Sequence, residues 1–117
     1  MKNPNRFEIW LVNWNPARGS EQEGIRPALV VQTDAGNTNP NYPNTIVLAL
    51  STKGRDIPFH IKIEPSKING LKDISFIKCE QILTISKERL QEKIGILEAG
   101  YTEEVERALK LVLGLVS

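Results

Sequence analysis

The sequence predicts a small, mainly β domain of antiparallel strands that ends in an α-helix. Residues 7–12 alternate in hydropathy with the period of two that is typical of a strand, and residues 45–50 form a continuous apolar run of strand length. From Thr102 the apolar spacing changes to the 3.6-residue period of a helix. Since the chain has 117 residues, 40% of them hydrophobic, we expect residues 1–117 to fold as one domain with a single core.

The first two strands flank a polar loop. Residues 7–12 predict a first strand with one well-buried face, and residues 13–24, rich in turn-forming side chains, predict the loop. Pro27 fixes the backbone where residues 28–31 begin a buried second strand. Arg26 therefore lies at the N-terminal end of this strand. A guanidinium there, if open to solvent, can bind a phosphate or carboxylate through two hydrogen bonds.

The third strand ends in hydroxyl side chains. Residues 34–44 show no apolar period and predict a long connection to residues 45–50, which end at Ser51 and Thr52. A charged turn follows, and residues 59–63 alternate again. We therefore expect a hairpin between the third and fourth strands.

The C-terminal half predicts two short strands and two helical segments. Residues 75–78 and 80–85 are the strand candidates, and Ser86 is placed to cap a short helical turn. Thr102 is the expected N-cap of the final helix, which Gly114 should end. The apolar stripe of this helix is widened by Leu111, Leu113 and Leu115. That width is compatible with a partner contact or with a broad core face.

The charge, the cysteine and histidine content and the apolar runs of the sequence limit the classes of function that fit this protein. A formal net charge of +1 is weak evidence for nucleic-acid binding, although a local basic site is compatible with it. Cys79, the one cysteine, excludes an intrachain disulfide, and we expect a small core residue rather than a reactive thiol. One histidine and one cysteine give no zinc-type spacing, and no phosphate-binding loop motif is present, so we expect no metal or cofactor. Because neither a leader nor a membrane-length apolar run is visible, we expect a cytosolic protein without a membrane partner.

Arg26, Ser51 and Thr52 form the main candidate constellation, because two strand ends can converge on one rim of a small barrel. Consecutive strand side chains point to opposite faces, so only one of the two hydroxyls can face Arg26 while the strand continues. Arg26 could instead be a surface salt-bridge partner of Glu21 or Glu23, and the hydroxyls could be simple turn residues.

Other polar and aromatic residues each allow a structural and a functional interpretation. Trp14 could be exposed and stack on a base, although packing against the barrel end is favoured. His60 is expected to be a solvated strand residue rather than a base. Ser20 with His60 could form a nucleophile and base, but no nucleophile-elbow motif supports that pairing.

An ordered set of short motifs carries a resemblance to a known family. The set consists of GSEQEGIRPALVVQ at residues 19–32, preceded by Ile9-Trp10-Leu11-Val12 and Asn15-Pro16 and followed by Thr45-Ile46-Val47, Pro58, His60, Glu80-Gln81-Ile82, Thr84-Ile85 and Lys93-Ile94-Gly95. It closely resembles the signature of the MazF/PemK family of toxin endoribonucleases. The resemblance implies a small SH3-like barrel of the CcdB/PemK type. It further implies a homodimer that cleaves single-stranded RNA and is neutralised by an antitoxin with a flexible acidic segment.

The resemblance also assigns roles to residues. Attack by an RNA 2′-hydroxyl on the adjacent phosphate needs a proton acceptor, a proton donor for the 5′-oxygen, and donors for the dianionic transition state. The family places an arginine at the position of Arg26, which we assign to electrostatic stabilisation, leaving the base open. The family's threonine aligns with Ser51, one residue before Thr52. The residues expected to bind RNA are Trp14, Ser20, Glu21, Gln22, Lys53, Arg55, His60, Glu80 and Gln81.

Departures from the family pattern keep two alternatives open. Ser51 in place of threonine is compatible with a toxin-fold binding module that has lost activity. A gyrase poison of the CcdB type is the other alternative, but that type relies on a tryptophan near its C-terminus, whereas this chain ends Leu115-Val116-Ser117. Residues 13–14 also differ from many relatives. Residues 53–58 form a shorter segment than the one that reads bases in relatives, so no cleavage sequence can be carried over.

Overall fold

The computed structural model describes residues 2–15 and 24–115. The elements are β1 (Glu8–Asn13), β2 (Ile25–Val30), α1 (Asp34–Asn37), β3 (Asn44–Ser51), β4 (His60–Ile63), β5 (Ser75–Ser86), a 3₁₀ turn (Lys87–Arg89), β6 (Leu90–Ile96) and α2 (Ala99–Val112).

The described strands form one antiparallel sheet in the order β4-β5-β3-β2-β1-β6. Residues 64–71 leave β4 at one edge and reach β6 at the other, where the Ile96 N–H donates to the Ile68 carbonyl at 2.9 Å. Gly95 makes this approach possible, because a Cβ there would lie 2.3 Å from the Asn69 carbonyl oxygen. The two edge strands are thus bridged, as in a small barrel, and the mainly β fold is confirmed.

The sheet is buried on both faces. A helix-side cluster, which includes Ile9, Leu29, Leu48 and Leu50, packs under Val105 of α2. A tryptophan cluster lies on the other face and contains Trp10, Val12, Trp14, Ala28, Val30, Val47, Ile85 and Leu90. The expected first strand is confirmed, but the single buried face is wrong, because its residues contribute to both clusters.

The predicted pairing of the middle strands is wrong. β4 does not form a hairpin with β3, because β5 lies between them in the sheet. The two short strands expected at residues 75–78 and 80–85 are one strand, and its register against β3 shifts between Leu48 and Leu50. The single strand thus pairs with β3 on both sides of this irregularity and also with β4.

The structure confirms some of the expected helix ends and contradicts another. The Ser86 hydroxyl oxygen accepts from the Glu88 N–H at 3.2 Å, so the expected cap of the short turn is confirmed. α2 begins at Ala99 after Glu98, and the Thr102 hydroxyl donates to the Ala99 carbonyl at 2.8 Å instead of capping, so that prediction is wrong. Gly114 follows the helix with φ +69°, as a stop residue does. α1, inside the expected connection, and β6 were not predicted.

Candidate active site

Arg26 and Ser51 lie at neighbouring ends of two paired strands, β2 and β3. The β2–β3 register pairs Val30 with Val47 and Ala28 with Ala49. Continued to the ends of both strands, it places Arg26 opposite Ser51. Directly opposed residues of antiparallel strands point to the same face, with Cβ atoms about 5 Å apart. Arg26 is exposed and Ser51 half-buried, so the pair is accessible on the face that carries the tryptophan cluster.

Thr52 lies on the other side of the sheet. It lines a cavity of about 290 Å³ with Leu11, Pro27 and other residues, including Leu71 of the helix-side cluster. Ser51 and Thr52 therefore differ in orientation, as alternation along a strand requires. Of the two candidate hydroxyls, Ser51 shares the face of Arg26.

One row of side chains continues from this pair across the sheet. Ser51 pairs with Phe76, and Phe76 pairs with Lys62, so the row runs through β2, β3, β5 and β4. Phe76 is half-buried and Lys62 is exposed. Sequence reasoning missed both residues, because only the strand order brings them beside Ser51. Cations, a hydroxyl and an aromatic ring in one row suit a single-stranded nucleic acid, whose phosphates and bases alternate.

The segment of residues 52–59, which we call the 52–59 segment, is held over the same face of the sheet. The Lys53 N–H donates to the Ser51 hydroxyl oxygen at 3.1 Å, and the Arg55 N–H donates to Nδ1 of His60 at 3.0 Å. Lys53 and Arg55 are both exposed. Two of the predicted RNA-binding cations therefore lie on a segment that is attached to the candidate site.

His60 is not the solvated residue that was expected. Its side chain is only 6% exposed, and its Nε2 lies 2.8 Å and 3.0 Å from the two carboxylate oxygens of Glu80. The structure thus brings together two predicted RNA-binding residues. Gln81, the next residue on β5, is exposed.

Trp14 is buried, with 8% of its surface exposed, so the favoured packing is confirmed and the alternative of an exposed ring is wrong. Its indole Nε1 has no hydrogen-bond acceptor among the described residues. Ser20, Glu21 and Gln22, and the alternative ion pairs of Arg26 with Glu21 or Glu23, lie outside the described residues.

Cys79 is fully buried beneath this region. Burial, aided by the negative charge of Glu80, raises the pKa of its thiol to about 12. The prediction of a core residue is confirmed. Across residues 2–15 and 24–115, no group of three or more His, Cys, Asp or Glu side chains could hold a metal ion. Nor is any helix in that part of the chain long and apolar enough to cross a membrane.

Fold and site together define a small antiparallel barrel with an exposed arginine and a hydroxyl on adjacent strand ends, an arrangement that can bind a phosphodiester. The sequence pattern of the family described as PemK-like, MazF-like toxin of type II toxin-antitoxin system matches residues 5–113. The chain belongs to this family.

One relative agrees with this assignment in sequence, and two solved structures share the fold. The chain is 41% identical over 113 residues to a protein named Endoribonuclease MazF from Staphylococcus epidermidis, covering 94% of this chain and 91% of that relative. The fold matches an endoribonuclease in complex with its cognate antitoxin from Mycobacterial species, with a TM-score of 0.80, 23% identity, and coverage of 97% and 98%. It also matches MazF from Deinococcus radiodurans, with a TM-score of 0.78, 23% identity, and coverage of 97% and 99%.

Proposed function

We propose that this chain, as a single domain, is a ribosome-independent endoribonuclease toxin that cleaves single-stranded RNA at selected sequences. The proposal rests on one feature of the geometry: the β2–β3 register, continued past its last pair, Ala28 with Ala49, sets Arg26 opposite Ser51 on an accessible face of the sheet. Membership in a toxin family and the 41% identity to a protein named endoribonuclease support it. The compartment that goes with this function is the cytoplasm, where translated RNA would be the target.

In the proposed reaction, the RNA supplies its own nucleophile. The 2′-hydroxyl oxygen forms a bond to the adjacent phosphorus while the bond from phosphorus to the 5′-oxygen breaks. A base takes the 2′-hydroxyl proton, and a proton is delivered to the leaving 5′-oxygen. Arg26 stabilises the dianionic transition state, and Ser51 donates a hydrogen bond to a phosphate oxygen. The products are a 2′,3′-cyclic phosphate and a 5′-hydroxyl.

A defined substrate pair tests this reaction. The purified protein is incubated with a long unstructured RNA, with and without EDTA, and the cut site is mapped. An oligonucleotide that carries a 2′-deoxy or 2′-methoxy group at that site should resist, because its nucleophile is missing. Cutting of the modified bond would refute the mechanism, and activity that EDTA abolishes would refute metal independence. A parallel incubation with gyrase tests the alternative of a gyrase poison, and inactivity in both assays would favour a non-catalytic module.

Substitutions at the pair test the residue roles. Arg26→Ala should lower kcat by roughly a hundredfold to a thousandfold, the loss expected for one preorganised donor to a developing anion. Ser51→Ala should reduce kcat more than Thr52→Ala, because Thr52 lines the cavity on the other face. Arg107→Ala, at an exposed position on α2, is the matched control. Full activity of both hydroxyl variants, with their fold intact by circular dichroism, would remove the hydroxyl from the mechanism.

The proposed assembly is a homodimer that an antitoxin inhibits. Leu111, Leu113 and Leu115 are exposed near the end of α2, and an apolar surface of this kind supports a subunit contact. A solved MazE–MazF pair from Deinococcus radiodurans, matched with a TM-score of 0.75 at 21% identity and with 99% and 100% of the chains covered, supports an antitoxin partner. We expect the antitoxin to bind through a flexible acidic segment that occupies Arg26 and displaces RNA.

Competition between the antitoxin segment and RNA is best measured on the wild-type protein with a 2′-methoxy oligonucleotide, which binds without being cut. The variant Arg26→Ala would serve only if it still binds RNA. Increasing amounts of the acidic segment should release the oligonucleotide in proportion to the segment's occupancy. Simultaneous binding with unchanged affinities would show that inhibition acts elsewhere. Sedimentation of the protein alone tests the dimer.

A further inference from the structure

The 52–59 segment is attached to the sheet at several points beside the candidate site. It begins directly after Ser51, whose hydroxyl oxygen accepts from the Lys53 N–H, and it ends where the His60 N–H donates to the Ile57 carbonyl at 3.1 Å. In the middle, the Arg55 N–H donates to His60 Nδ1. The segment therefore has a defined position, although its residues from Thr52 to Asp56 are exposed.

The hydrogen bonds of His60 assign the state of its ring. Nδ1 accepts a hydrogen bond and so must carry a lone pair, whereas Nε2 faces both carboxylate oxygens of Glu80 and so must carry the proton. Glu80 thus selects the Nε2–H tautomer and fixes the ring plane, which aims the Nδ1 lone pair at the Arg55 N–H. Phe59 adds an edge-to-face contact, with ring centroids 5.7 Å apart.

Gly54 provides a second point of attachment. A Cβ at this position would lie 2.2 Å from the Phe76 ring, so only a glycine lets the backbone rest on that ring. Phe76 belongs to the row that contains Arg26 and Ser51. The ring and the histidine together hold the segment on the face where the reaction is proposed to occur.

We infer that Glu80 and His60 are positioning residues, which hold the 52–59 segment so that Lys53 and Arg55 can bind RNA phosphates beside the scissile bond. The inference rests on the proposed function for its substrate. It differs from a direct role of His60 as base, because Nε2 is engaged with Glu80 and Nδ1 with the backbone. Loss of the hydrogen bonds that run from Glu80 through His60 to the Arg55 N–H should therefore affect substrate binding more than the chemical step.

Two measurements without RNA test the attachment. His60 is the only histidine, so nitrogen chemical shifts of its ring report its tautomer directly, and we expect Nε2–H in the wild type. Hydrogen exchange of the Arg55 amide should speed up by about fivefold to tenfold in His60→Ala and Glu80→Ala, the effect of losing one hydrogen bond. Glu80→Gln retains an acceptor for Nε2–H and should restore slow exchange. Glu103→Ala, at an exposed position of α2, is the control.

Kinetics then test the positioning role. His60→Ala and Glu80→Ala should raise KM for RNA by about tenfold, the scale of one charge-assisted contact, while Arg26→Ala lowers kcat. Gly54→Ala pushes the segment off Phe76 and should raise KM in the same way, which keeps the test valid if His60→Ala fails to fold.

The outcomes separate the two proposals. An Arg55 amide that exchanges at the wild-type rate in Glu80→Ala and His60→Ala overturns the positioning inference, and so does a fall in kcat at unchanged KM. A wild-type protein that cuts no RNA refutes the proposed function instead, and the exchange data still decide whether His60 holds the segment.

Discussion

Lys87 offers a quantitative test of how the fold is held together. Its side chain is completely buried, and its Nζ donates to the carbonyls of Gly36 and Asn39 at 3.0 Å each and to Oδ1 of Asn3 at 3.4 Å. The ammonium thus ties the connection between β2 and β3 and the N-terminal residues to the turn after β5. Lys87→Met keeps an unbranched apolar side chain and removes only the charged donor.

The expected cost follows from these bonds. Two well-formed hydrogen bonds from a charged donor contribute about 1.5–3 kcal/mol each, and the longer bond to Asn3 adds little. These contributions are already net of the cost of removing the bonded groups from water. We therefore expect Lys87→Met to lower the free energy of unfolding by about 3–6 kcal/mol.

Urea unfolding followed by tryptophan fluorescence measures this difference, provided that the slope against urea is unchanged. Lys110→Met is the control, because Lys110 is exposed in the last turn of α2 and should cost less than about 1 kcal/mol. Equal stability of Lys87→Met and the wild type would refute the reasoning, since it would mean that the hydrogen bonds only offset desolvation. An equal loss in the control would attribute the effect to net charge.

Two further predictions concern titratable groups. Burial alone would raise the pKa of the Glu8 carboxyl, but hydrogen bonds from the Asn5 N–H, the Trp10 indole and Lys93 hold it below its usual 4.5. The carboxylate therefore stabilises the fold above about pH 4.5, and this contribution is lost as the pH falls through the lowered pKa. In Glu8→Gln, the free energy of unfolding should fall less between about pH 6 and about pH 3 than it does in the wild type. Urea unfolding at each pH measures this difference. The Cys79 thiol, with its pKa raised to about 12, should react with a thiol reagent at neutral pH only when the protein is unfolded. If Cys79 in the folded protein reacted as fast as an exposed cysteine does, its burial would be contradicted.

Local signals in the sequence predicted local structure. Ser86 was identified by its capping hydroxyl and Gly114 by its lack of a side chain, and both features act on the backbone within a few residues. Strands β1 and β3 followed from hydropathy alone. The N-terminus of α2 was misplaced because Glu98, the residue before the helix, carries no capping signal, whereas Thr102 does.

Strand order could not be read from the sequence. Neither β3 nor β4 contains a signal that another strand, distant along the chain, lies between them. For that reason Phe76 and Lys62 were missed as neighbours of Ser51, and the burial of His60 against Glu80 was not foreseen. Pairing over long sequence separations depends on the whole core rather than on local propensity.

The choice between Ser51 and Thr52 depends on the register of β3, which the two-sided burial of the sheet fixes. A slip by one residue would move Leu48 to the face of the tryptophan cluster and Val47 to the helix side, so every buried side chain of the strand would meet the wrong cluster. The same slip would turn Thr52 toward Arg26. The core thus selects which hydroxyl faces the arginine. Core substitutions that loosen this register should therefore reduce RNA cleavage without any change at the pair itself.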